Sequence, residues 1–219
     1  MKLTIEWSYK TPKGATTIFR SEPMSVLHAL MIAEDMERTG RVKSMEIVDE
    51  YDSTWMIKEL KKYVKEMETE PHHVTVYFDG GFDIQTKGAG LGVAIYYEKD
   101  GKSYRLRRNA YVSELISNNE AEYAALHLSL VELELLGVHH QTVRIVGDSQ
   151  VVINQLNGEW PAYEQNLASW ADKIDAKLQQ LGIKPDYELV PRKQNSEADR
   201  LATQAIHGTE ITGEIELQP

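Results

Sequence analysis

Alternating apolar and polar residues open the chain and predict a β-hairpin. The alternation covers residues 3–9 and part of 16–20, with a Pro-Lys-Gly turn segment at 12–14 between the two runs. Further on, apolar residues recur at helical spacing in two segments that flank one strand-like run. These segments are a helix at 22–38, a strand at 43–49 and a helix at 54–68. The pattern therefore predicts a small α+β domain over residues 1–70.

A second pattern starts after Pro71, which ends the preceding helix. The strands are predicted at 74–78, 89–97, 103–112, 143–147 and 186–190, and the helices at 118–136, 149–156, 162–181 and 195–206. Three consecutive strands followed by helix-linked strands predict an α/β fold over residues 71–208, with a five-stranded mixed sheet flanked by helices. Residues 209–219 are a tail that is either disordered or a docking strand.

Composition changes this picture mainly by what it excludes. The 219-residue chain has no cysteine, which excludes disulfides, thiol catalysis and thiolate metal sites. No apolar run approaches the roughly 20 residues of a membrane span, and no secretory signal is apparent, so we expect a cytoplasmic protein without a membrane partner. The net charge of −10 argues mildly against tight phosphate contact. It argues less against a nuclease, because bound cations neutralise a carboxylate cluster.

Two adjacent histidines, His72 and His73, lie at the boundary between the two predicted domains. Histidine is a common metal ligand, but neighbouring histidines in a linker are more often solvated. We therefore interpret this pair as linker residues rather than as ligands.

The first helix of the second domain carries two acids near its start, Glu120 and Glu122. Ser117 and Glu120 have the S-x-x-E spacing of a capping box, which gives Glu120 a structural role. At about 100° per residue, Glu120 falls with His127 and Glu134 on the side that we expect to face solvent. Glu122 falls on the opposite, apolar side. A carboxylate there is costly unless it is paired or binds a metal, although an acid near a helix start also has a structural explanation.

Three aspartates are further candidates, and two of them lie where a sheet of this class collects ligands. Asp79 and Asp148 each directly follow a predicted strand, and Asp199 lies on the last helix. Each has a structural alternative when it is taken singly. Asp79 is typical of a turn before two glycines, and Asp148 with Ser149 could form a helix N-cap. Asn195 could cap the last helix and leave Asp199 as a surface acid. Together with Glu122, the three aspartates predict a catalytic metal site.

Four motifs in this order carry a family resemblance: Y-F-D-G-G (77–81), N-N-E-A-E-Y-A-A-L (118–126), G-D-S-Q-V-V-I-N-Q-L-N-G (147–158) and N-S-E-A-D-R-L-A (195–202). Residues 74–206 resemble a type 1 ribonuclease H domain. The resemblance implies the ribonuclease H-like fold, and its catalytic and metal-binding acids match Asp79, Glu122, Asp148 and Asp199. It also implies an endonuclease that hydrolyses the RNA strand of RNA–DNA hybrids, with two Mg²⁺ (or Mn²⁺) ions in the site.

The resemblance further implies that the hybrid is recognised through 2′-hydroxyls and backbone shape. The residues implied in substrate binding are Gly80, Asn118, Asn119, Ser149, Gln150, Arg192 and Asn195. Two features depart from the family pattern. The loop at residues 190–194 has no histidine, although Arg192 or Lys193 could substitute for it electrostatically. Residues 157–166 contain no lysine or arginine, where some members carry a basic protrusion, so we expect weak hybrid affinity.

The first hairpin places Trp7 and Tyr9 near Lys10 and Lys13, a combination found in single-strand binders. We favour the interpretation that these aromatics belong to the core.

Two alternatives to an active hybrid nuclease stay open. One is a non-catalytic member of the same fold that binds nucleic acid or a protein partner. The other is a nuclease that acts on a different RNA substrate.

Overall fold

The computed structural model describes residues 1–218 of the chain. The chain divides into two compact units, Met1–Thr69 and a second unit that begins at Glu70. Each unit has its own hydrophobic core. Among the described residues, no helix is both long enough and apolar enough to cross a membrane.

The first unit is an antiparallel sheet with two helices. Its elements are β1 (Lys2–Lys10), β2 (Thr16–Arg20), β3 (Met24–Ser25), α1 (Val26–Arg38), β4 (Val42–Asp49), β5 (Thr54–Trp55) and α2 (Ile57–Thr69). β1 is central and pairs with β2, β3 and β4. The predicted hairpin, the third strand and both helices are present, and β3 and β5 are two-residue additions.

The core of the first unit is built on Leu3, Ile5 and Ile47 from the sheet, each at most 2% exposed. α1 does not contribute all of its apolar residues to this core. Leu27 and Met31, which share the helical spacing of the buried residues, are each 60% exposed. The helix packs through its smaller residues instead, because these allow it to approach the sheet closely.

The aromatic residues of the first hairpin contact one another, and one of them packs against this core. Trp7 packs against the core and stacks on Phe19, with ring centroids 5.5 Å apart. Tyr9 contacts Phe19 edge to face at 6.3 Å, and Arg41 donates a hydrogen bond to the Tyr9 hydroxyl. Phe19 itself is 47% exposed. Trp7 therefore fits the core interpretation. Tyr9 is also partly buried, but its described contacts are with Phe19 and Arg41 near the surface.

The second unit is a mixed sheet with helices. Its elements are β6 (His72–Asp83), β7 (Gly88–Lys99), β8 (Lys102–Val112), α3 (Asn118–Leu136), β9 (Thr142–Gly147), α4 (Gln150–Leu156), α5 (Gln165–Leu181), β10 (Lys184–Leu189), a 3₁₀ turn (Arg192–Gln194), α6 (Ser196–Ile206) and β11 (Thr212–Leu217). The strand order is β10-β9-β6-β7-β8-β11. β6 is parallel to β9 and antiparallel to β7. The predicted α/β fold, a mixed sheet flanked by helices, is confirmed.

The sheet has six strands rather than the five that were predicted. The extra strand, β11, lies in the tail, for which the sequence left disorder or a docking strand open. It is a docking strand that pairs antiparallel with β8, for example Thr212 with Arg108. Five of its six residues are exposed. A strand that buries so little does not need a strong alternation of apolar and polar residues. A strand of this kind is defined by the free edge that it covers rather than by its own pattern.

Two glycines show which helix covers which face of the sheet. A Cβ on Gly80 in β6 would overlap the backbone of Ala121 in α3, whereas a Cβ on Gly92 in β7 would overlap the carbonyl oxygen of Ala198 in α6. Gly92 pairs with Asp79, the neighbour of Gly80. Because side chains alternate between faces along a strand, α3 and α6 lie on opposite faces, and Asp79 projects on the α6 face.

Candidate metal centre and active site

An acidic cleft lies where β6 and β9 separate. Asp79, Glu122 and Asp148 offer carboxylate oxygens that all lie within 4.8 Å of one another. The cleft has a volume of about 130 Å³, and its wall also includes Asp199 and Arg192. Sites for small organic molecules usually measure about 300–1,000 Å³. The cleft therefore fits ions and a phosphate group rather than an organic cofactor.

The sheet supplies two of the acids. The last parallel pair between β6 and β9 joins Tyr77 to Val146. Asp79 and Asp148 each follow that pair by two residues, Asp79 within β6 and Asp148 just after β9 ends. Because the two strands run in the same direction, their next residues emerge side by side at the carboxyl end of the pair.

α3 supplies the third acid. Ser117 caps the helix, and its Oγ accepts a hydrogen bond from the Glu120 amide at 3.2 Å, as predicted. Two residues further on, the Glu122 side chain is 6% exposed and points to the sheet. There its Oε2 accepts a hydrogen bond from the Gly80 amide at 3.2 Å. The close approach of α3 to β6 thus brings Glu122 to Asp79 and Asp148.

The prediction that Glu120 faces solvent was wrong. The side chain is only 9% exposed. Its Oε2 accepts a hydrogen bond from the Ile116 amide at 2.9 Å, and its Oε1 accepts one from Trp170 Nε1 at 3.2 Å. The physical reason is that α5 packs on this side of α3, and His127 lies edge to face against the same indole. The structural role of Glu120 stands, but its carboxylate bonds to the residue before Ser117.

Asp199 lines the cleft but lies outside the cluster of three. It is in the first turn of α6. Its Oδ1 accepts two hydrogen bonds from Arg192, one from Nε at 3.1 Å and one from Nη2. Arg192 belongs to the loop at residues 190–194, which lacks a histidine. Its guanidinium therefore balances part of the negative charge of the cleft. Thr203 also lines the cleft and was not predicted to do so. It follows Asp199 by four residues on the same helix, and this i,i+4 spacing is the signal that could have found it.

Asn195 occupies the N-cap position of α6, but its side chain does not cap the helix. The residue is 1% exposed, and its Nδ2 donates hydrogen bonds to the Phe78 carbonyl and to Asp148 Oδ1, both at 2.8 Å. It therefore orients Asp148 and ties the start of α6 to β6. This geometry corrects the capping interpretation, because the buried side-chain amide positions the acid instead. The substrate contact implied for Asn195 stays a prediction.

The other residues implied in substrate binding divide into two groups. Those that line the cleft are Gly80, Asn118 and Arg192. Those outside its described wall are Asn119, Ser149 and Gln150. Asn118 Oδ1 accepts a hydrogen bond from the Phe82 amide at 3.3 Å, which connects the start of α3 to β6. Ser149 caps α4 through an Oγ that accepts from the Val152 amide, so its observed role is structural.

Burial and mutual repulsion make the cleft unfavourable for bare carboxylates. Burial, with the nearby Asp148 and Asp199 charges, raises the pKa of Asp79 to about 7. Burial, with the Asp79 and Asp148 charges, raises the pKa of Glu122 to about 9, although the Gly80 amide opposes this shift. A cation would relieve both effects. The carboxylate donors, with no imidazole in the cleft wall, fit a hard divalent cation.

Without metal, the stability of the second unit is expected to fall between about pH 5 and pH 9 because of Glu122. Its pKa of about 9 in the folded protein lies above the value of about 4.3 for an unfolded glutamate. In this range the folded chain holds a proton that the unfolded chain has released, so a rise in pH favours unfolding. One pKa unit corresponds to about 1.4 kcal/mol. At pH 8 we expect the free energy of unfolding of Glu122→Gln to exceed that of wild type by roughly 2 kcal/mol or more.

Thermal unfolding in EDTA, measured for wild type and Glu122→Gln from pH 5 to pH 9, checks this expectation. The difference in Tm between the two proteins should be small at pH 5 and should widen toward pH 9. A divalent cation added at pH 8 should raise the Tm of wild type more than that of Glu122→Gln. A difference that stays constant over the whole range would contradict the predicted proton linkage.

An acidic cleft at the carboxyl end of a central parallel strand pair, in a mixed sheet with helices on both faces, defines a ribonuclease H-like domain. A family profile described as "Reverse transcriptase-like" matches residues 77–205, a range that contains all four acids. The chain belongs to this family. Enzymes of the ribonuclease H class generally use divalent metal ions.

Similar proteins agree with this assignment. The uncharacterised protein YpeP of Bacillus subtilis (strain 168) is 42% identical over 193 residues, which are 88% of this chain and 85% of YpeP. The N-terminal RNase H domain of Rv2228c from Mycobacterium tuberculosis has a TM-score of 0.54 at 29% identity, with 62% of this chain and 94% of that chain covered. LC11-RNase H1 in complex with an RNA/DNA hybrid has a TM-score of 0.56 at 28% identity, with 62% and 97% covered. The ribonuclease H fold implied by the sequence motifs is confirmed.

Proposed function

We propose that this protein is an endonuclease that hydrolyses the RNA strand of RNA–DNA hybrids with divalent metal ions. The observation that carries the proposal is the convergence of Asp79, Glu122 and Asp148 within 4.8 Å at the end of the central strands. Membership of the family and the likeness to LC11-RNase H1, which was solved with a hybrid, support it.

Mg²⁺, with Mn²⁺ as a substitute, is the ion that we propose for the cleft. Asp79, Glu122 and Asp148 would hold it, and Asp199 would join them after exchanging its Arg192 partner. Hard carboxylate oxygens suit Mg²⁺, which is bound through few protein ligands and otherwise through water and phosphate oxygens. When bound, a pair of such ions supplies an activated water and compensates charge on the scissile phosphate.

The protein orients these ligands through its own hydrogen bonds. The backbone amide of Gly80 donates a hydrogen bond to Glu122 Oε2, and the side-chain Nδ2 of Asn195 donates one to Asp148 Oδ1. Both donors are buried and belong to regular elements or their ends. Carboxylates that are held in this way lose little freedom when they bind an ion, and that is a requirement for an accurate active site.

Arg192 and Asn118 are the groups that we propose for contact with the hybrid backbone. The Arg192 side chain is 78% exposed, and a guanidinium can bond a phosphate through two N–H groups. Asn118 is exposed at the start of α3, where helix amides favour anions. Residues 71–219 carry 13 basic and 21 acidic side chains, so hybrid affinity should be weak and should rest on a few contacts.

A cleavage assay tests the proposal. Purified full-length protein with Mg²⁺ or Mn²⁺ is expected to cut the labelled RNA strand of a hybrid and to leave the DNA strand and single-stranded RNA intact. EDTA should stop the reaction, since the carboxylates need a cation. Asp79→Asn, purified in the same way, is the control for contaminating nuclease and should be inactive.

Three outcomes would count against the proposal. Wild type that is inert with both ions at excess enzyme would favour a non-catalytic binding role. Cleavage of single-stranded RNA as fast as that of the hybrid would indicate another RNA substrate. Equal activity in wild type and Asp79→Asn would place the activity outside this cleft.

A further inference from the structure

A second group of possible metal ligands lies at the start of β6, away from the acidic cleft. His72 pairs with Glu98 across β6 and β7, and Thr75 pairs with Tyr96. Two residues of β6 therefore oppose one residue of β7, which is a β-bulge. His73, inside the bulge, has a φ of +52°, in the left-handed region. In a regular strand, His72 and His73 would point to opposite faces, but the bulge brings both imidazoles to one carboxylate.

The distances in this group suit a common ion. Glu98 Oε2 lies 3.7 Å from His72 Nε2 and 3.1 Å from His73 Nδ1. The possible ligand atoms of the three residues all lie within 4.8 Å of one another. Two ligands at about 2.0–2.1 Å from a tetrahedral Zn²⁺ are roughly 3.4 Å apart. The observed separations bracket that value, so an ion needs only a small adjustment of three side chains.

The hydrogen-bond partner of the His72 ring favours the neutral tautomer that a metal ligand requires. Its Nδ1 lies 2.9 Å from the Glu70 carbonyl oxygen. A carbonyl only accepts hydrogen bonds, so Nδ1 carries the hydrogen and Nε2 of the neutral ring presents a lone pair toward Glu98. Histidines that bind metals commonly donate their other ring N–H to a carbonyl in this way.

Glu98 has no competing cation in the part of the chain that the structure describes, since no lysine or arginine lies within 4 Å of its carboxylate. The side chains of His72, His73 and Glu98 are 24%, 71% and 48% exposed. The group is therefore open on one side, where water or a further ligand can complete the coordination of an ion.

We propose that His72, His73 and Glu98 form a binding site for a transition-metal ion of the Zn²⁺ class. Two imidazole nitrogens and one carboxylate favour Zn²⁺, Ni²⁺ or Cu²⁺, whereas the carboxylates of the acidic cleft favour Mg²⁺ or Mn²⁺. The two sites thus differ in ligand chemistry, and this one does not depend on the nuclease function. The structure also corrects the placement of the two histidines in a linker, because both lie in β6.

A Zn²⁺ titration of the full-length protein tests the site. Excess Mg²⁺ is present throughout to occupy the acidic cleft, and a chromogenic chelator reports free Zn²⁺. Wild type is expected to take up one equivalent, and His72→Ala, His73→Ala and Glu98→Gln are expected to lose it. Asp79→Asn should keep it, as should His207→Ala, which removes another exposed histidine. Co²⁺ in place of Zn²⁺ should give visible absorption bands in wild type that are absent in His73→Ala.

Each other outcome overturns the proposal. Wild type that takes up no Zn²⁺ in excess Mg²⁺ shows that the three side chains form only hydrogen bonds and ion pairs. Uptake that survives in His72→Ala and His73→Ala places the ion elsewhere. Uptake that disappears in Asp79→Asn places it in the acidic cleft. Glu98→Gln is nearly isosteric and leaves both histidines in place, so a folded variant is available even if the alanine variants are destabilised.

Discussion

Glu122→Gln is expected to abolish hybrid cleavage while the protein stays folded. Glutamine keeps the shape of the side chain and an oxygen that can accept from the Gly80 amide. It lacks the negative charge with which the cleft binds a divalent cation. Removal of one charge-stabilising group from an active site typically costs about 10²–10³ in turnover, and we expect at least that loss. Initial rates at saturating metal measure the effect, and circular dichroism with the Tm reports the fold.

Glu120→Gln is the matched control, because Glu120 is also a buried glutamate on the same helix, two residues away. Its carboxylate accepts hydrogen bonds from Ile116 and Trp170, and glutamine can keep only one of them. The variant should lose about 1–3 kcal/mol of stability. Below its Tm it should retain turnover near that of wild type. Equal loss of turnover in both folded variants would contradict the separation of a structural from a catalytic acid.

This pair of acids also shows the limit of helix periodicity. The 3.6-residue period correctly places Glu120 and Glu122 on different sides of α3, because that depends only on the helix itself. It does not say what covers each side. The sheet covers one side, and α5, with Trp170 some 50 residues later in the chain, covers the other. Both acids are therefore buried, which local sequence does not determine.

The same distinction holds for the rest of the candidate site. Asp79 and Asp148 were found because each follows an apolar run that predicts a strand, which is a local signal, although β6 itself continues past Asp79. The role of Asn195 depends on the Phe78 carbonyl, 117 residues away in the chain, so its position before α6 suggested only a cap. The position of His73 depends on a bulge that is defined by the pairing of β6 with β7. Such features come from tertiary contacts rather than from sequence pattern.

Gly80→Ala is expected to destabilise the second unit and to reduce cleavage strongly, although it adds only one methyl group. The new Cβ would overlap the backbone of Ala121 and the amide nitrogen of Glu122. A helix backbone cannot rotate away as a side chain can, so α3 must shift from β6. Overpacking of this kind costs about 1–3 kcal/mol or more. The same shift moves Glu122 away from Asp79, and a displacement of about 1 Å in an active site can cost 10²-fold in rate.

Gly81→Ala separates this effect from a general intolerance of side chains in the segment. A Cβ at Gly81 would meet only the terminal Cδ1 of Ile206, at 3.2 Å, and that side chain can rotate. We therefore expect a small change in Tm and nearly full activity, in contrast to Gly80→Ala. Thermal unfolding and hybrid-cleavage rates of the two variants provide the comparison. The added Cβ cannot fit unless α3 moves away from β6. If Gly80→Ala nevertheless had the Tm and cleavage rate of wild type, Glu122 would not need the close contact between β6 and α3 to reach the metal site.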